Sequence, residues 1–552
     1  MTKPYDPDDF KTFPEWIRQR HRLAGVCAAV AAIAILLTGG ALFLRYPSPN
    51  RMRVGENEVR ASANLDRAAS NPLKLRAFLE QMPKGGDLHM HLSGAVYAET
   101  FLQDAVEDNL CVDPVNFSFA KNTGLTKDPK SQQPQPVCAT GQEPAADALK
   151  NQKLYDALVD AFSMRTFVPK SGVDGHDQFF ATFARFGGLA KSHAGEWVDE
   201  VATRAASQNE QYLEIMNTPD FSEAAKAGYA AGWNPDLPAM RDALLAKGLK
   251  DEVAENVAEF NAMDATRNQR EHCGTPQALP ACAVTVRYLY QVLRGFPPQQ
   301  VFAQTLLGFE VASADPEVVG INFVMPEDGY LAMSQYHEQM LMLDYLHSLY
   351  PNVHISLHAG ELAYEMVPPD GLKFHIREAV ELGHAERIGH GVDIMYENDP
   401  QQLLQEMAAK HTMVEINLTS NDVILGVTGA EHPLPIYLKA HVPIALSTDD
   451  EGVSRIDLTH EYERAVEEFG FNYSDLKRSA RTSIEHSFLP GADLWAKPDK
   501  FKQFVSACSD ESSKDCADFL SSSEKARQEM ELERRFSVFE ASQVYVVDPA
   551  LR

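Results

Sequence analysis

The stretch GGDLHMHL (85–92) decides how this chain is read. Leu88, Met90 and Leu92 alternate with Asp87, His89 and His91, which is the period of a β-strand. His89 and His91 therefore point to one side, near the strand's C-terminal end. Seven further apolar runs of strand length end in polar residues: YLEIMN (212–217), AVTVRYLYQ (283–291), VVGINFVM (318–325), HISLHAGE (354–361), RIGHG (387–391), MVEINLTSN (413–421) and VPIALSTDD (442–450). Helix-compatible segments such as SQYHEQMLMLDYLHSLY (334–350) and LKFHIREAVELG (372–383) separate most of them. Alternating strands and helices predict a parallel sheet. Eight strands fit an α/β fold of the closed (β/α)8 TIM type, with an open doubly wound sheet as the rival. In a barrel, the C-terminal strand ends carry the active site.

The remainder of the chain is organised around that core. With 552 residues, 44% of them hydrophobic and 23% charged, most of the sequence is expected to be globular. Acidic residues outnumber basic ones 78 to 50, a formal net charge of −28. That argues against nucleic acid as a partner and against a peripheral hold on anionic lipid. Residues 1–22 read as a short tail. Leu23–Leu44 is uncharged between Arg22 and Arg45, which predicts a transmembrane anchor and makes the lipid bilayer a partner. Residues 45–82 read as a stalk or linker, 83–487 as the barrel with a mostly helical insertion over 98–205, and 488–552 as a C-terminal helical extension. Six cysteines fall in local pairs, Cys111/Cys138, Cys273/Cys282 and Cys508/Cys516, none with zinc or redox spacing. Three disulfides in an oxidising compartment follow from that pattern, so the large domain is expected on the periplasmic or extracytoplasmic side of the inner membrane.

The chemistry collects at the strand ends. Side by side, His89 and His91 make a poor core, because their ring nitrogens need partners that a metal would supply. The fifth strand ends in His358 and Glu361, the sixth in His390, the eighth in Asp449 and Asp450. Nitrogen and oxygen donors of this kind suit Zn²⁺ with a position left for water. Bound zinc lowers the pKa of water to about 7. A neighbouring His or carboxylate can then accept a proton and a carboxylic acid can donate one. Such a site hydrolyses an electrophilic carbon.

The segment GDLHMHLSGA (86–95), followed by SLHAGE, RIGHG, NLTSN and LSTDDE, resembles the adenosine deaminase family of metal-dependent amidohydrolases; HDQFFATFARF (176–186) matches it more loosely. The resemblance implies one Zn²⁺ per chain held by His89, His91, His358 and Asp449. It implies that Glu361 protonates the purine ring nitrogen, that His390 orients the attacking water and takes its proton, and that Asp450 bonds the imidazole side of the base. Ser93 and Gly94 fall at substrate positions. The implied reaction is hydrolytic deamination of adenosine, and of 2′-deoxyadenosine, to inosine and ammonia in extracytoplasmic nucleoside salvage. The alternatives are another 6-aminopurine derivative or a non-catalytic nucleoside-binding ectodomain. Two departures bear on substrate: Ser93 stands where the family often has Asp, and Met325 where it has Gly. Oligomeric state is not readable from the sequence.

Overall fold

The computed structural model describes residues 49–127 and 134–544. It divides at Gly55, inside the helix that begins at Pro49, and the contacts described below belong to the unit that begins at Glu56. Eight parallel strands stand in strictly sequential order: β1 (Gly85–His91), β2 (Glu210–Asn217), β3 (Thr285–Leu293), β4 (Val318–Val324), β5 (His354–Ala359), β6 (Arg387–His390), β7 (Met413–Ile416) and β8 (Ile444–Leu446). A parallel bridge between Met90 and Asp449 joins last to first, with the Asp449 N–H donating to the His89 carbonyl at 2.8 Å. Sequential order with a joined seam is a barrel; a doubly wound sheet reverses its order midway. The open-sheet rival is thereby excluded.

Each strand repeats the logic of β1. Leu88 and Met90 are 0% and 1% exposed and join the apolar layer under the helices, leaving His89 and His91 for the barrel interior. The same layer takes Ile355 and Leu357 from β5, Val414 and Ile416 from β7, and Leu446 from β8.

Residues read as a stalk pack onto this core. Helix α1 (Pro49–Ala68) contributes Ala61 and Leu65 to it, and α2 (Pro72–Gln81), capped by Asn71, contributes Leu75 and Leu79. The C-terminal extension does likewise, through Leu532, Phe536 and Phe539 of its last described helix, Glu524–Ser542. The two ends meet: Phe78 and Phe539 stack edge to face at 5.3 Å, and Asn64 bonds Gln543 at 3.1 Å.

The insertion after β1 holds helices together with two small antiparallel sheets, one of them pairing Gly124–Lys127 with Pro134–Val137. It has its own apolar cluster around Phe101, Leu158 and Phe162. The three cysteine pairs are disulfides: Cys111–Cys138, Cys273–Cys282 and Cys508–Cys516. The stretch Leu23–Leu44 lies outside the described residues. Among those described, no helix is long and apolar enough to cross a membrane.

Candidate active site

All four expected metal ligands converge at the C-terminal mouth of the barrel. Asp449 Oδ1 lies 3.5 Å from His89 Nε2 and 3.2 Å from His91 Nε2, and the Nε2 atoms of His91 and His358 are 3.2 Å apart. What lies behind each ring sets its tautomer. Nδ1 of His89 faces the Glu415 carboxylate at 2.6 Å, Nδ1 of His91 faces Gln291 Oε1 at 2.7 Å, and Nδ1 of His358 faces Asn322 Oδ1 at 2.6 Å. All three partners are acceptors, so each Nδ1 carries a proton and each Nε2 presents its lone pair inward. Buried, His89 Nε2 has no hydrogen-bond partner. Burial lowers the His89 pKa, but Asp449 and Glu415 outweigh it, so these anions favour a positive charge beside the ring, either a proton or a cation in its place. Burial and the neighbouring imidazoles push His358 well below the usual histidine range. Three lone pairs and an anion facing one point fit a divalent cation of the zinc type.

Glu361 and His390 stand beside this set. His390 Nε2 lies 3.6 Å from Glu361 Oε1 and 3.8 Å from Asp449 Oδ2. Burial and the Asp449 charge raise Glu361 well above the carboxylate range, which keeps it protonated and able to donate. Asp449 is also buried, yet the surrounding imidazoles of His89, His91 and His390 hold it well below that range. Burial pulls His390 down to about 3, so the ring is neutral. A chain of bonds fixes which nitrogen carries its proton. The Leu434 N–H donates to His432 Nδ1, so His432 Nε2–H donates to Asn421 Oδ1 at 3.0 Å, and Asn421 Nδ2 donates to His390 Nδ1 at 2.9 Å. His390 therefore carries its proton on Nε2, directed at Glu361 and Asp449.

The site opens into a cavity of about 580 Å³ lined by His91, Ser93, His358, Glu361, Asp449 and Asp450 together with Phe179, Phe180, Phe183, Trp197 and Met325. Phe179, Phe180 and Phe183 come from α3 (Gly175–Arg185), which forms the roof. Burial and Asp449 raise Asp450 to about 7, and its Oδ1 is unpartnered. Gly94 does not line the cavity; it backs Asp450, and a Cβ there would lie 1.4 Å from Asp450 Oδ1. Met325 holds φ +98°, a conformation natural to glycine, with its thioether over Gly295. Sequence reading missed Glu415, Gln291, Asn322, Asn421 and His432. For Glu415 a signal existed, since a carboxylate on a barrel strand's inner face needs partners; here they are His89, Ser356 and Arg387.

Comparison with known proteins points to one family. Residues 194–496, more than half of the chain, match the family described as adenosine deaminase. An adenosine deaminase of Shewanella loihica is 39% identical over 140 residues, and one of Clostridium perfringens 36% over 135. These matches span 25% and 24% of this chain, and 39% and 37% of the relatives' length. Among solved structures, Arabidopsis ADAL complexed with IMP aligns at TM-score 0.51 and 17% identity, covering 85% of this chain and 99% of the other. An amidohydrolase from Burkholderia ambifaria with bound Zn aligns at TM-score 0.50 and 16% identity, covering 85% and 95%. At these identities the structural matches speak to the fold, and the family match carries the assignment: the chain belongs to the adenosine deaminase family.

Proposed function

We propose that the protein is a zinc-dependent aminohydrolase that converts adenosine and 2′-deoxyadenosine to inosine products and ammonia outside the cytoplasm. One observation carries the reading: Glu361, kept protonated by burial, lines the same cavity as His91, His358 and Asp449, with a neutral His390 3.6 Å from its carboxyl and His89 3.5 Å from Asp449. A bound Zn²⁺ supplies Lewis acidity that brings the pKa of water to about 7. The chain's own groups do the rest. Glu361 gives its proton to the purine ring nitrogen beside the carbon bearing the amino group. Water oxygen adds to that carbon, one of its protons passing through His390 to the amino group; the C–N bond then breaks, ammonia leaves, and the remaining hydroxyl proton returns to Glu361 as the C=O bond forms. Taking the water's proton, the second half of the expected His390 role, requires the Asn421–His432 chain to reverse. Asp450 is placed to bond the base. Phosphorylated substrates are disfavoured by the lining: Glu259, Glu361, Asp449 and Asp450 face Lys191, which already lies 3.8 Å from Asp220 and 3.9 Å from Glu259.

Three disulfides support the extracytoplasmic placement, and the apolar Leu23–Leu44 supports the anchor. One experiment with two arms tests the reading. The zinc-loaded full chain is assayed against a panel of 6-aminopurine nucleosides, with Glu361→Gln expected to lose about 10²–10⁴-fold in kcat. Absence of turnover rejects the reaction, and an unaffected Glu361→Gln removes that residue from its role. Intact cells whose nucleoside uptake is blocked should deaminate added nucleoside; activity seen only after lysis rejects the outward placement.

A further inference from the structure

Glu361 must hold a carboxyl group at one spot in a cavity, and its side chain reaches there from a turn rather than from a strand. The turn is Gly360–Glu361, immediately after β5. Gly360 sits at φ +76°, and a Cβ on it would meet Asp393 Oδ1 at 2.4 Å and Ile376 at 2.8 Å. The backbone of this turn is gripped from behind. Glu327 Oε1 accepts the Gly360 N–H at 2.9 Å, and Glu327 Oε2 accepts the Glu361 N–H at 2.7 Å. Both oxygens of one carboxylate are thus committed to two consecutive amides.

Glu327 is itself braced. His375 Nδ1 donates to Glu327 Oε1, and the His375 ring is stacked at 4.1 Å on Tyr336, whose hydroxyl donates to the His375 carbonyl at 2.8 Å. Arg294 Nη2 lies 3.8 Å from Glu327 Oε2, while Arg294 Nη1 donates to the His358 carbonyl at 3.0 Å. The same brace therefore holds both ends of His358–Glu361. Glu327, His375 and Arg294 are at most 1% exposed and none lines the cavity. Despite burial, the His375 and Arg294 charges and the turn amides hold Glu327 at about 2, so it stays an anion. A buried carboxylate in this state persists only where its partners are fixed. Met325, directly after β4 and two residues before Glu327, holds φ +98°.

We propose that Glu327, braced by His375 and Arg294, is a positioning residue that sets where the Glu361 carboxyl stands, without touching substrate or metal. The proposal rests on the reading of Glu361 as the proton donor. Displacing a reacting group by about 1 Å can cost 10²-fold in rate.

The test compares Glu327→Gln, His375→Ala and His375→Asn in the zinc-loaded full chain. A glutamine keeps the shape, but its NH₂ cannot accept an amide N–H, so one grip is lost. The expected result is a kcat lower by about 10–10²-fold, with KM within a few-fold, one zinc per chain retained, and faster amide exchange confined to the segment around 358–361. His375→Asn, which keeps a donor at the Nδ1 position, should recover kcat that His375→Ala loses. Unchanged kcat in Glu327→Gln overturns the proposal. So does a loss of zinc equal to the loss of rate, because the residue would then act through His358. Should the wild-type chain deaminate nothing on the panel, the functional reading falls, and exchange at Gly360 and Glu361 still decides the grip: no change in Glu327→Gln overturns it.

Discussion

Gly94 has no room for a side chain. Its missing Cβ would overlap Asp450 Oδ1, Cγ and Cβ at 1.4, 2.2 and 2.7 Å. Gly94→Ala must turn the Asp450 side chain out of its present position, so kcat/KM should fall by roughly 10²-fold while zinc content stays at the wild-type level. Steady-state kinetics beside elemental analysis check this, and an unchanged kcat/KM would remove Asp450 from the substrate. At this scale the residues that meet at the mouth were legible, because each ends an apolar run and protrudes from a strand whose direction is known. Those that hold them from behind were not. Asn421 and His432 act through a chain that starts at a backbone N–H of Leu434, and no spacing in NLTSN announces it. Met325 stood out in the sequence as bulk where the family has Gly. Its backbone keeps the glycine conformation, and its thioether is accommodated because position 295 is also glycine.

The element that most shapes the cavity is α3. Asp174 caps it, its Oδ1 accepting the Asp177 N–H at 2.9 Å, and His176 ties it to Asp328 on the loop after β4 at 3.2 Å. Gly175 lets the helix start lie against the chain after β7, where a Cβ would come within 1.8 Å of the Val423 carbonyl oxygen. That obstacle is backbone and cannot rotate away. Gly175→Ala should therefore lift the roof, raising KM several-fold with a smaller change in kcat; a crystal structure of the variant with α3 unmoved would contradict this. The eight strands were readable because buried β-strands carry long apolar runs. The small sheets of the insertion were not, since Gly124–Lys127 is exposed along its length and has no apolar face to give a period.

For the whole molecule, buried acids set the pH response. Burial raises Glu397 and Glu461 to about 7 and Glu485 to about 8. Their protons are kept in the folded chain and lost from the unfolded one once pH exceeds the usual glutamate value of about 4.3. Between that value and about 8, the folded state binds more protons, so stability falls as pH rises. Glu327 acts in the opposite sense, its contribution being lost only in acid below its ordinary range. The net charge of −28 adds self-repulsion in the alkaline direction. Glu485→Gln should make the fall in thermal midpoint between pH 5.5 and pH 8.5 shallower than in the parent chain, and an identical slope by calorimetry would refute the buried proton on Glu485.

The meeting of Phe78 with Phe539, and of Asn64 with Gln543, has a consequence for how the chain matures. Leu532, Phe536 and Phe539 belong to the same apolar layer as Ala61 and Leu65. The helices Pro49–Ala68 and Pro72–Gln81 thus wait for Glu524–Ser542 to cover them. Until that helix is made, the half-built cylinder presents bare hydrocarbon to its surroundings. Holdase chaperones should engage the nascent chain throughout that interval, and a chain stopped before Leu532 should be insoluble.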